Sequence, residues 1–139
     1  MVAGEAFCGL DFGTSNSALC AGAGQESLRL IPLEKDNFTI PSAIFFNTEE
    51  NRVVFGREGL TEYRTGYEGR LLRALKSILG SELIDEATQI GNQKKSFRDI
   101  IGIFISHIKD HAEMNLQAPL ANIVMGRPVH FVDDDNMAD

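Results

Sequence analysis

The sequence lacks tryptophan, has only two cysteines among 139 residues, and contains no basic segment followed by a long apolar one. Because such a segment is absent, we expect no signal peptide, no transmembrane span and no membrane partner. The cysteines show no spacing typical of disulfide frameworks or metal sites. If residues 13–16 form a four-residue connection, Phe12 pairs with Ser17, and Cys8 and Cys20 lie on opposite faces of the hairpin. We therefore expect two free thiols and a cytoplasmic protein, because the cytosol is reducing.

Positive charge is also scarce: 13 lysines and arginines stand against 20 acidic residues, a formal net charge of -7. This balance argues against nucleic acid as a partner, since binding its phosphates requires a basic face. It does not exclude ATP, because backbone amides and Mg²⁺ set the local field at a nucleotide site. With 43% hydrophobic and 24% charged residues, the chain has the composition of a globular domain that can bury a core.

The most informative stretch is FCGLDFGTSNS, residues 7–17, in which a short apolar strand delivers Asp11 to a polar turn. The glycine at position 13 can adopt a positive φ without steric cost, so the amides that follow can curl inward. Consecutive amides in such a turn form a concavity that binds anions such as phosphate. A Mg²⁺ ion bridging phosphate and the Asp11 carboxylate would complete the site. The candidate phosphate ligands are Gly13, Thr14, Ser15 and Asn16.

An ordinary β-hairpin is the alternative for the same residues. Asp and Gly close together are common in turns, and short glycine motifs often occur without a ligand. One detail favours the phosphate site. Asp11 lies at the end of an apolar strand, where a carboxylate is costly unless it has a partner.

The stretch GLDFGTSNS resembles the first phosphate loop of the ATPase superfamily that contains actin, hexokinase and the heat-shock chaperones. It is most similar to the loop of the seventy-kilodalton (DnaK-like) chaperones, which reads roughly G-I-D-L-G-T-T-x-S, although sugar kinases share its D-x-G-T core. The resemblance implies that Gly13, Thr14 and Ser15 hold the β- and γ-phosphates of ATP. It also implies that Asp11 holds Mg²⁺ through water. Asn16 stands where many family members have tyrosine.

A second block, TIPSAIFF at residues 39–46, is followed by Gly56. It resembles the chaperone pattern P-S-x-V-x-F and the glycine that opens a short helix after it. Sugar kinases do not have this block here, and we expect no chemistry from it. The apolar runs at residues 43–46 and 53–55 predict a hairpin. Residues 17–22 and 27–33 are predicted as the second and third strands of an antiparallel meander.

A helix is predicted over residues 68–80, EGRLLRALKSILG, from an apolar stripe with helical spacing and a glycine suited to its end. Lys76 borders this stripe. Its ordinary interpretation is a lysine whose aliphatic stem covers the edge of the apolar face. The stripe consists of Leu71, Leu72, Leu75, Ile78 and Leu79.

The segment LKSILG resembles the chaperone segment I-K-R-L-I-G, which places the family's catalytic lysine on Lys76. The resemblance implies that this ammonium reaches the γ-phosphate, neutralises charge on the transferring phosphoryl group and orients the attacking water. Ser77 stands where those chaperones usually have arginine, which indicates a divergent branch. The catalytic residues implied are Lys76 and Asp11.

Ser96 and Asp99 form a capping-box pattern before a predicted helix that reaches about Leu116. His107 and His111 on this helix have the spacing of a metal-binding pair. Because no H-E-x-x-H arrangement and no nearby cysteine accompanies them, we interpret them as surface histidines. The inward stripe of the helix consists of Phe97, Ile100, Ile101, Phe104, Ile108 and Ala112.

Residues 122–126, NIVMG, predict a buried strand after this helix, in the rhythm of a layered α/β domain. The stretch NIVMGRPVHF resembles a chaperone strand that ends in I-T-V-P-A-Y-F, which implies that Pro128 is the family's switch proline. A simple strand terminator is the alternative for Pro128. The three aspartates at 133–135 are interpreted as the acidic start of a further helix, not as a cation site.

The expected fold class is α/β: a ribonuclease H-like (actin-like ATPase) first lobe, with a mixed sheet, an antiparallel N-terminal meander and packed helices. The resemblance covers residues 1–139 as the N-terminal lobe alone. We find no second phosphate loop, adenosine-binding loop or substrate-binding domain in the sequence. We therefore expect either a deliberately shortened protein or a truncated gene product, and favour the first.

The resemblance implies that the parent protein is a DnaK-like chaperone that binds ATP and ADP with Mg²⁺ and hydrolyses ATP. It would act on unfolded clients with co-chaperones through regions beyond this lobe. The lobe alone is expected to be inactive and to bind nucleotide weakly at best. Two alternatives stay open: a sugar or small-metabolite kinase of the same superfamily, and a non-catalytic actin-like interaction module.

Overall fold

The computed structural model describes residues 6–23 and 27–125, which form strands and helices in alternation. The strands are β1 (Ala6–Phe12), β2 (Asn16–Ala23), β3 (Arg29–Leu30), β4 (Thr39–Pro41), β5 (Ile44–Asn47), β6 (Arg52–Phe55), β7 (Gly69–Leu72), β8 (Ala87–Ile90), β9 (Gln93–Ser96) and β10 (Leu120–Met125). The helices are α1 (Gly56–Thr65), α2 (Lys76–Leu79) and α3 (Phe97–Leu116), with a 3₁₀ turn at Glu82–Asp85. Within this part of the chain, no helix is long and apolar enough to cross a membrane.

The main sheet is mixed and has the strand order β10-β1-β2-β3, with β4 also paired to β2. Strands β1, β2 and β3 are antiparallel neighbours, which confirms the predicted meander, although β3 is limited to two residues of the predicted seven. Strand β10 lies parallel to β1 after the long helix α3. The fold is therefore mixed α/β, as predicted.

The register of the first hairpin matches the prediction. Phe12 lies opposite Ser17 across the β1–β2 ladder. Cys8 is opposite Ala21, one position out of step with Cys20, so the two thiols point to opposite faces of the sheet. Both cysteines are free, as expected.

Helix α3 covers the inner face of the main sheet. Ser96 is its N-cap, and the hydroxyl of Ser96 accepts a hydrogen bond of 3.1 Å from the Asp99 amide, as the capping pattern predicts. Phe104 on the helix packs against Phe12 at the end of β1, with ring centroids 5.9 Å apart. The predicted inward stripe is confirmed: Ile100, Ile101, Phe104, Ile108 and Ala112 are buried, and Phe97 is partly buried.

A second sheet has the order β6-β5-β7. The predicted hairpin of residues 43–46 with 53–55 is confirmed, since Ile44 pairs with Phe55 and Phe46 with Val53. Helix α1 begins at Gly56, where the resemblance placed a helix-opening glycine. Gly56 has φ +61, and a Cβ there would collide with the Ile40 side chain, so this position requires glycine.

The predicted helix over residues 68–80 is wrong. Residues Gly69–Leu72 form strand β7, in which Leu72 pairs with Ile44 of β5, and a helix exists only over Lys76–Leu79. The leucines with helical spacing are therefore divided between a strand and one helical turn. Antiparallel pairing with β5 satisfies the backbone of residues 69–72 through hydrogen bonds that local helical preference does not supply.

The polar segment that follows α2 contains the 3₁₀ turn and the hairpin β8–β9. The predicted strand at residues 122–126 corresponds to β10, which begins two residues earlier, at Leu120. Pro128 and the aspartates at 133–135 lie outside the described residues.

Candidate functional site

The candidate phosphate loop is the turn between β1 and β2. Asp11 lies near the end of β1, residues 13–15 connect the strands, and Asn16 begins β2. The side chain of Asp11 lies on the solvent-exposed face, since Leu10 and Phe12 alternate with it and fill the core. The expectation that Asp11 is buried and therefore needs a partner is wrong. Its carboxylate is instead freely available at the rim of the turn.

Gly13 is required here for a different reason from the one expected. It does not have a positive φ, unlike Gly56, Gly66 and Gly91. A Cβ on Gly13 would instead overlap the carbonyl oxygen of Asn16 on the other side of the turn. The glycine thus permits a close approach of two backbone segments, which makes the turn tight.

Ser42, which follows β4, joins the turn to the rest of the fold. Its Oγ donates a 2.7 Å hydrogen bond to the Gly13 carbonyl and lies 2.9 Å from the Oγ of Ser17. Its amide donates a 2.9 Å hydrogen bond to the carbonyl of Ser15. Ser17 and Ser42 are each 1% exposed, so both hydroxyls satisfy their hydrogen bonding inside the core.

The segment that carries Lys76 is also hydrogen-bonded to Ser42. The Leu75 amide donates a 3.4 Å hydrogen bond to the Ser42 carbonyl, and Leu75 is completely buried. Lys76 follows as the first residue of α2 and is partly buried. Lys76 therefore directly follows Leu75, the residue that contacts Ser42. Ser42 also bonds to Gly13 and Ser15 of the loop.

The amides of the turn are available to a ligand. Within residues 6–23 and 27–125, no carbonyl or side chain accepts a hydrogen bond from the amide of Thr14 or Ser15. Both side chains are exposed, as is that of Asn16. Neither Asp11 nor Lys76 takes part in an ion pair in the same part of the chain. Unpaired amides in a tight turn are the donors that phosphate oxygens require.

The donor set of this region fits Mg²⁺ held together with a phosphate. The described residues contain no group of three or more His, Cys, Asp or Glu side chains that could hold a metal ion by itself. Mg²⁺ does not need such a group, since it is usually held by one or two carboxylates, substrate phosphates and several waters. The exposed carboxylate of Asp11 is the ligand of this kind next to the turn.

His107 and His111 do not form part of this region. His111 is exposed, whereas His107 is half-buried and stacks on Phe55, so the expectation of two surface histidines is correct only for His111. Burial lowers the pKa of His107, and the neighbouring His111 lowers it further, while Asp110 and Glu58 oppose the change. Protonation of His107 is thus less favourable in the fold than in water.

Two surface cavities of about 720 and 880 Å³ lie beside these histidines. Phe55 and His107 border both cavities. The smaller one also contacts Arg98 and Asp110 on α3, and the larger one contacts Arg57 on α1. Neither is lined by the turn at residues 13–16, by Ser42 or by Lys76. The exposed residues 14–16 of the turn therefore belong to neither cavity.

Sequence reasoning did not identify Ser42 as part of the site. The block that contains Ser42 carried no expected chemistry, whereas Ser17 lies within the stretch FCGLDFGTSNS that supplied the candidate loop. One signal was present: a serine directly after Pro41, in an otherwise apolar stretch, requires a hydrogen-bond partner if it is buried. No known protein-family model matches the chain.

Proposed function

We propose that the chain is the ribonuclease H-like first lobe of an ATP-binding domain in the actin and heat-shock-chaperone superfamily, from a DnaK-like ATPase. The parent protein would hydrolyse ATP and use it to drive a cycle of binding and release of unfolded clients, assisted by co-chaperones. The mixed sheet, with an antiparallel meander extended by a parallel strand after a helix, supports this fold.

One observation carries the proposal. Three of the four segments that resemble chaperone motifs are far apart in sequence, yet they meet at one residue. Ser42, in the second block, contacts Gly13 of the loop and Leu75 of the lysine segment. An ordinary hairpin would not require the lysine segment to return to its turn. A phosphate site does, because it combines backbone donors with a nearby cation.

In this proposal the free amides of Thr14 and Ser15 bind the β- and γ-phosphates, and the exposed hydroxyls of these residues add donors. Gly13 allows the tight turn that presents them. Asn16 lies at the side of the nucleotide where relatives in the superfamily carry tyrosine. Asp11 would hold water ligands of the metal with its carboxylate. When bound, Mg²⁺ supplies charge neutralisation between the phosphates.

Lys76 is proposed to act on the γ-phosphate. In this proposal its ammonium reaches the turn on a flexible stem from the start of α2, where Lys76 is partly buried. There it would neutralise charge on the phosphoryl oxygens and orient the attacking water. Catalysis of this kind is positioning and electrostatic stabilisation, so misplacing Lys76 is expected to lower turnover more than nucleotide affinity.

The chain by itself is expected to bind Mg-ATP weakly and to show no ATPase activity, because the exposed turn supplies contacts to only one side of the nucleotide. Calorimetric titration with Mg-ATP measures this directly. A Kd at or below about 1 µM, roughly -8 kcal/mol, would mean that this lobe suffices for tight binding, contrary to the proposal.

The location of binding is tested by NMR. We expect millimolar Mg-ATP to shift the amide resonances of Thr14 and Ser15 in the chain. Asp11→Asn should remove the dependence of these shifts on Mg²⁺. Asp36→Asn, an exposed aspartate in a different turn, is the matched control and should leave them unchanged.

The role of Lys76 is tested in the same experiment. Lys76→Ala should reduce the preference for Mg-ATP over Mg-ADP, because the ammonium is proposed to contact the γ-phosphate. Lys94→Ala, an exposed lysine on β9, should not. Shifts confined to the cavities beside His107, or the absence of shifts at residues 13–16, would contradict the proposal.

A further inference from the structure

The two buried hydroxyls beside the turn have a defined direction of hydrogen bonding. A serine hydroxyl carries one hydrogen, and that of Ser42 is donated to the Gly13 carbonyl at 2.7 Å. The 2.9 Å contact between the two Oγ atoms is therefore a hydrogen bond donated by Ser17 to Ser42. The chain of bonds runs from Ser17 through Ser42 to the turn, so of these two serines only Ser42 bonds to the Gly13 carbonyl with its side chain.

This contact determines how one amide of the turn is presented. In a trans peptide the C=O and the following N–H point in opposite directions, and the described backbone has no cis peptide. Because the Gly13 carbonyl is directed at Ser42, the Thr14 N–H points away from Ser42, out of the core. Rotation of that peptide plane would break the bond to Ser42.

The far side of the turn is held by the same residue. The Ser42 amide donates to the Ser15 carbonyl, so the peptides before Thr14 and after Ser15 are both attached to Ser42. The peptide between Thr14 and Ser15 is fixed at its two ends and keeps its own amide free. A third bond, from the Leu75 amide to the Ser42 carbonyl, adds the backbone that precedes Lys76.

We propose that Ser42 is a positioning residue for phosphate binding: its hydroxyl orients the Gly13–Thr14 peptide so that the turn's amides face the phosphates. This inference rests on the proposed function of the turn and adds a residue that does not touch the nucleotide. Preorganised donors bind more tightly because they lose less freedom when the ligand arrives.

The matched pair of variants is Ser42→Ala and Ser17→Ala. Each removes one equally buried hydroxyl from the same pair. Only the first removes the bond to the turn, since Ser42 can still donate to Gly13 when Ser17 is alanine. We expect Ser42→Ala to weaken Mg-ATP binding by about tenfold and Ser17→Ala by no more than about twofold, after both are corrected for the folded fraction.

A second readout does not use nucleotide. The ¹⁵N order parameters of Thr14 and Ser15 should fall in Ser42→Ala and stay near the unaltered values in Ser17→Ala. If Ser42→Ala does not fold, Ser42→Cys replaces it, because a thiol keeps the shape but donates more weakly. This variant should give the same changes at a smaller size.

The outcomes separate the two proposals. If the unaltered chain shows no response to Mg-ATP at residues 13–16, the proposed function fails, while the order parameters still decide whether Ser42 orients the turn. If both serine variants change the turn and its affinity equally, or if Ser42→Ala changes neither, Ser42 is only a buried core residue and the inference is wrong.

Discussion

Phe55 and His107 stack face to face, with ring centroids 3.9 Å apart and planes inclined by 9°. Phe55 ends β6 and precedes α1, whereas His107 lies in the middle of α3, so this stack joins the second sheet to the long helix. Phe55 also lies 6.5 Å from Phe104, the ring that packs on Phe12. A titratable side chain is thus part of the packing between two layers of the fold.

This stack predicts that stability falls as pH is lowered. Burial is the main cause of the lowered pKa of His107, and His111 adds to it. Because the folded-state pKa is below the ordinary value of 6.5, the unfolded chain binds the proton more readily. The contribution of His107 to stability should therefore be constant above about pH 7 and decline as pH falls through 6.5 towards the folded pKa. Urea unfolding at pH 7.5 and 5.5 measures the decline.

Two variants identify the residue responsible. His107→Phe retains a ring against Phe55 and removes the titrating group, so its unfolding free energy should change less between pH 7.5 and 5.5. His111→Gln should keep most of the decline, since burial is the larger cause of the shift at His107. An identical decline in His107→Phe and the unaltered chain would show that another group governs this pH range.

The close approach at Gly13 predicts a cost for any side chain there. Gly13→Ala would place a methyl group against the Asn16 carbonyl, and we expect a loss of about 1–3 kcal/mol in unfolding free energy. Gly102→Ala is the control: this exposed glycine of α3 has open space around it, so alanine should stabilise by about 0.5–1 kcal/mol. Chemical denaturation of both variants measures the difference, and a neutral Gly13→Ala would contradict the tight turn.

Strands and helices that depend only on residues close together in sequence could be predicted. The register of the first hairpin, with Phe12 opposite Ser17, follows from the length of its glycine turn. Because side chains alternate between the two faces of each strand, a shift by one residue would turn the apolar side chains of one strand to the wrong face. Helix α3 follows from a cap at Ser96 and a sustained apolar stripe. Neither depends on distant parts of the chain.

The segment at residues 68–80 could not be predicted in this way. Leucine favours helices, and the spacing of its leucines fits one, but Leu71 and Leu72 pair with Phe45 and Ile44 of β5. Such pairing is invisible to local periodicity. Helix α1 shows the opposite case, a helix without a helical pattern. Its buried residues are two glycines, so its sequence shows no apolar stripe.

The residues of the candidate site could be selected from the sequence, but the way the fold connects them could not. The residues of the turn and Lys76 could be selected by resemblance. Their connection through Ser42 could not, because it depends on β4 pairing with β2 at Asn16 and Pro41, a non-local contact. The exposure of Asp11 also followed from that sheet, which buries only one face of β1 in the described residues.

The N-cap of α3 predicts a measurable contribution to stability. Ser96→Ala removes the acceptor for the Asp99 amide and should lower the unfolding free energy by about 1 kcal/mol. Ser96→Asp should recover most of this loss, since a carboxylate also accepts at an N-cap. Ser106→Ala, at an exposed position of the same helix, should have little effect. Thermal and urea unfolding of the three variants test the assignment, and equal losses in both alanine variants would contradict it.

The end of α3 is tied to the last described strand by one side chain. A Glu113 carboxylate oxygen accepts a 2.7 Å hydrogen bond from the Leu120 amide, which begins β10. This bond is the main cause of the lowered pKa of Glu113, and Lys109, 3.3 Å away, contributes less. Since β10 pairs in parallel with β1, the contact fixes where that strand starts.

Glu113→Ala should therefore speed hydrogen exchange at the Leu120 amide and lower stability. Lys109→Ala removes the ion pair but leaves the backbone bond, so exchange at Leu120 should remain slow. The lowered pKa of Glu113 also predicts how acid changes stability. The contribution of Glu113 to stability is complete above its ordinary pKa of 4.5 and is lost as pH falls through its lower pKa in the folded state. Exchange at Leu120 that responds equally to both variants would mean that the ion pair, and not the carboxylate–amide bond, holds the start of β10.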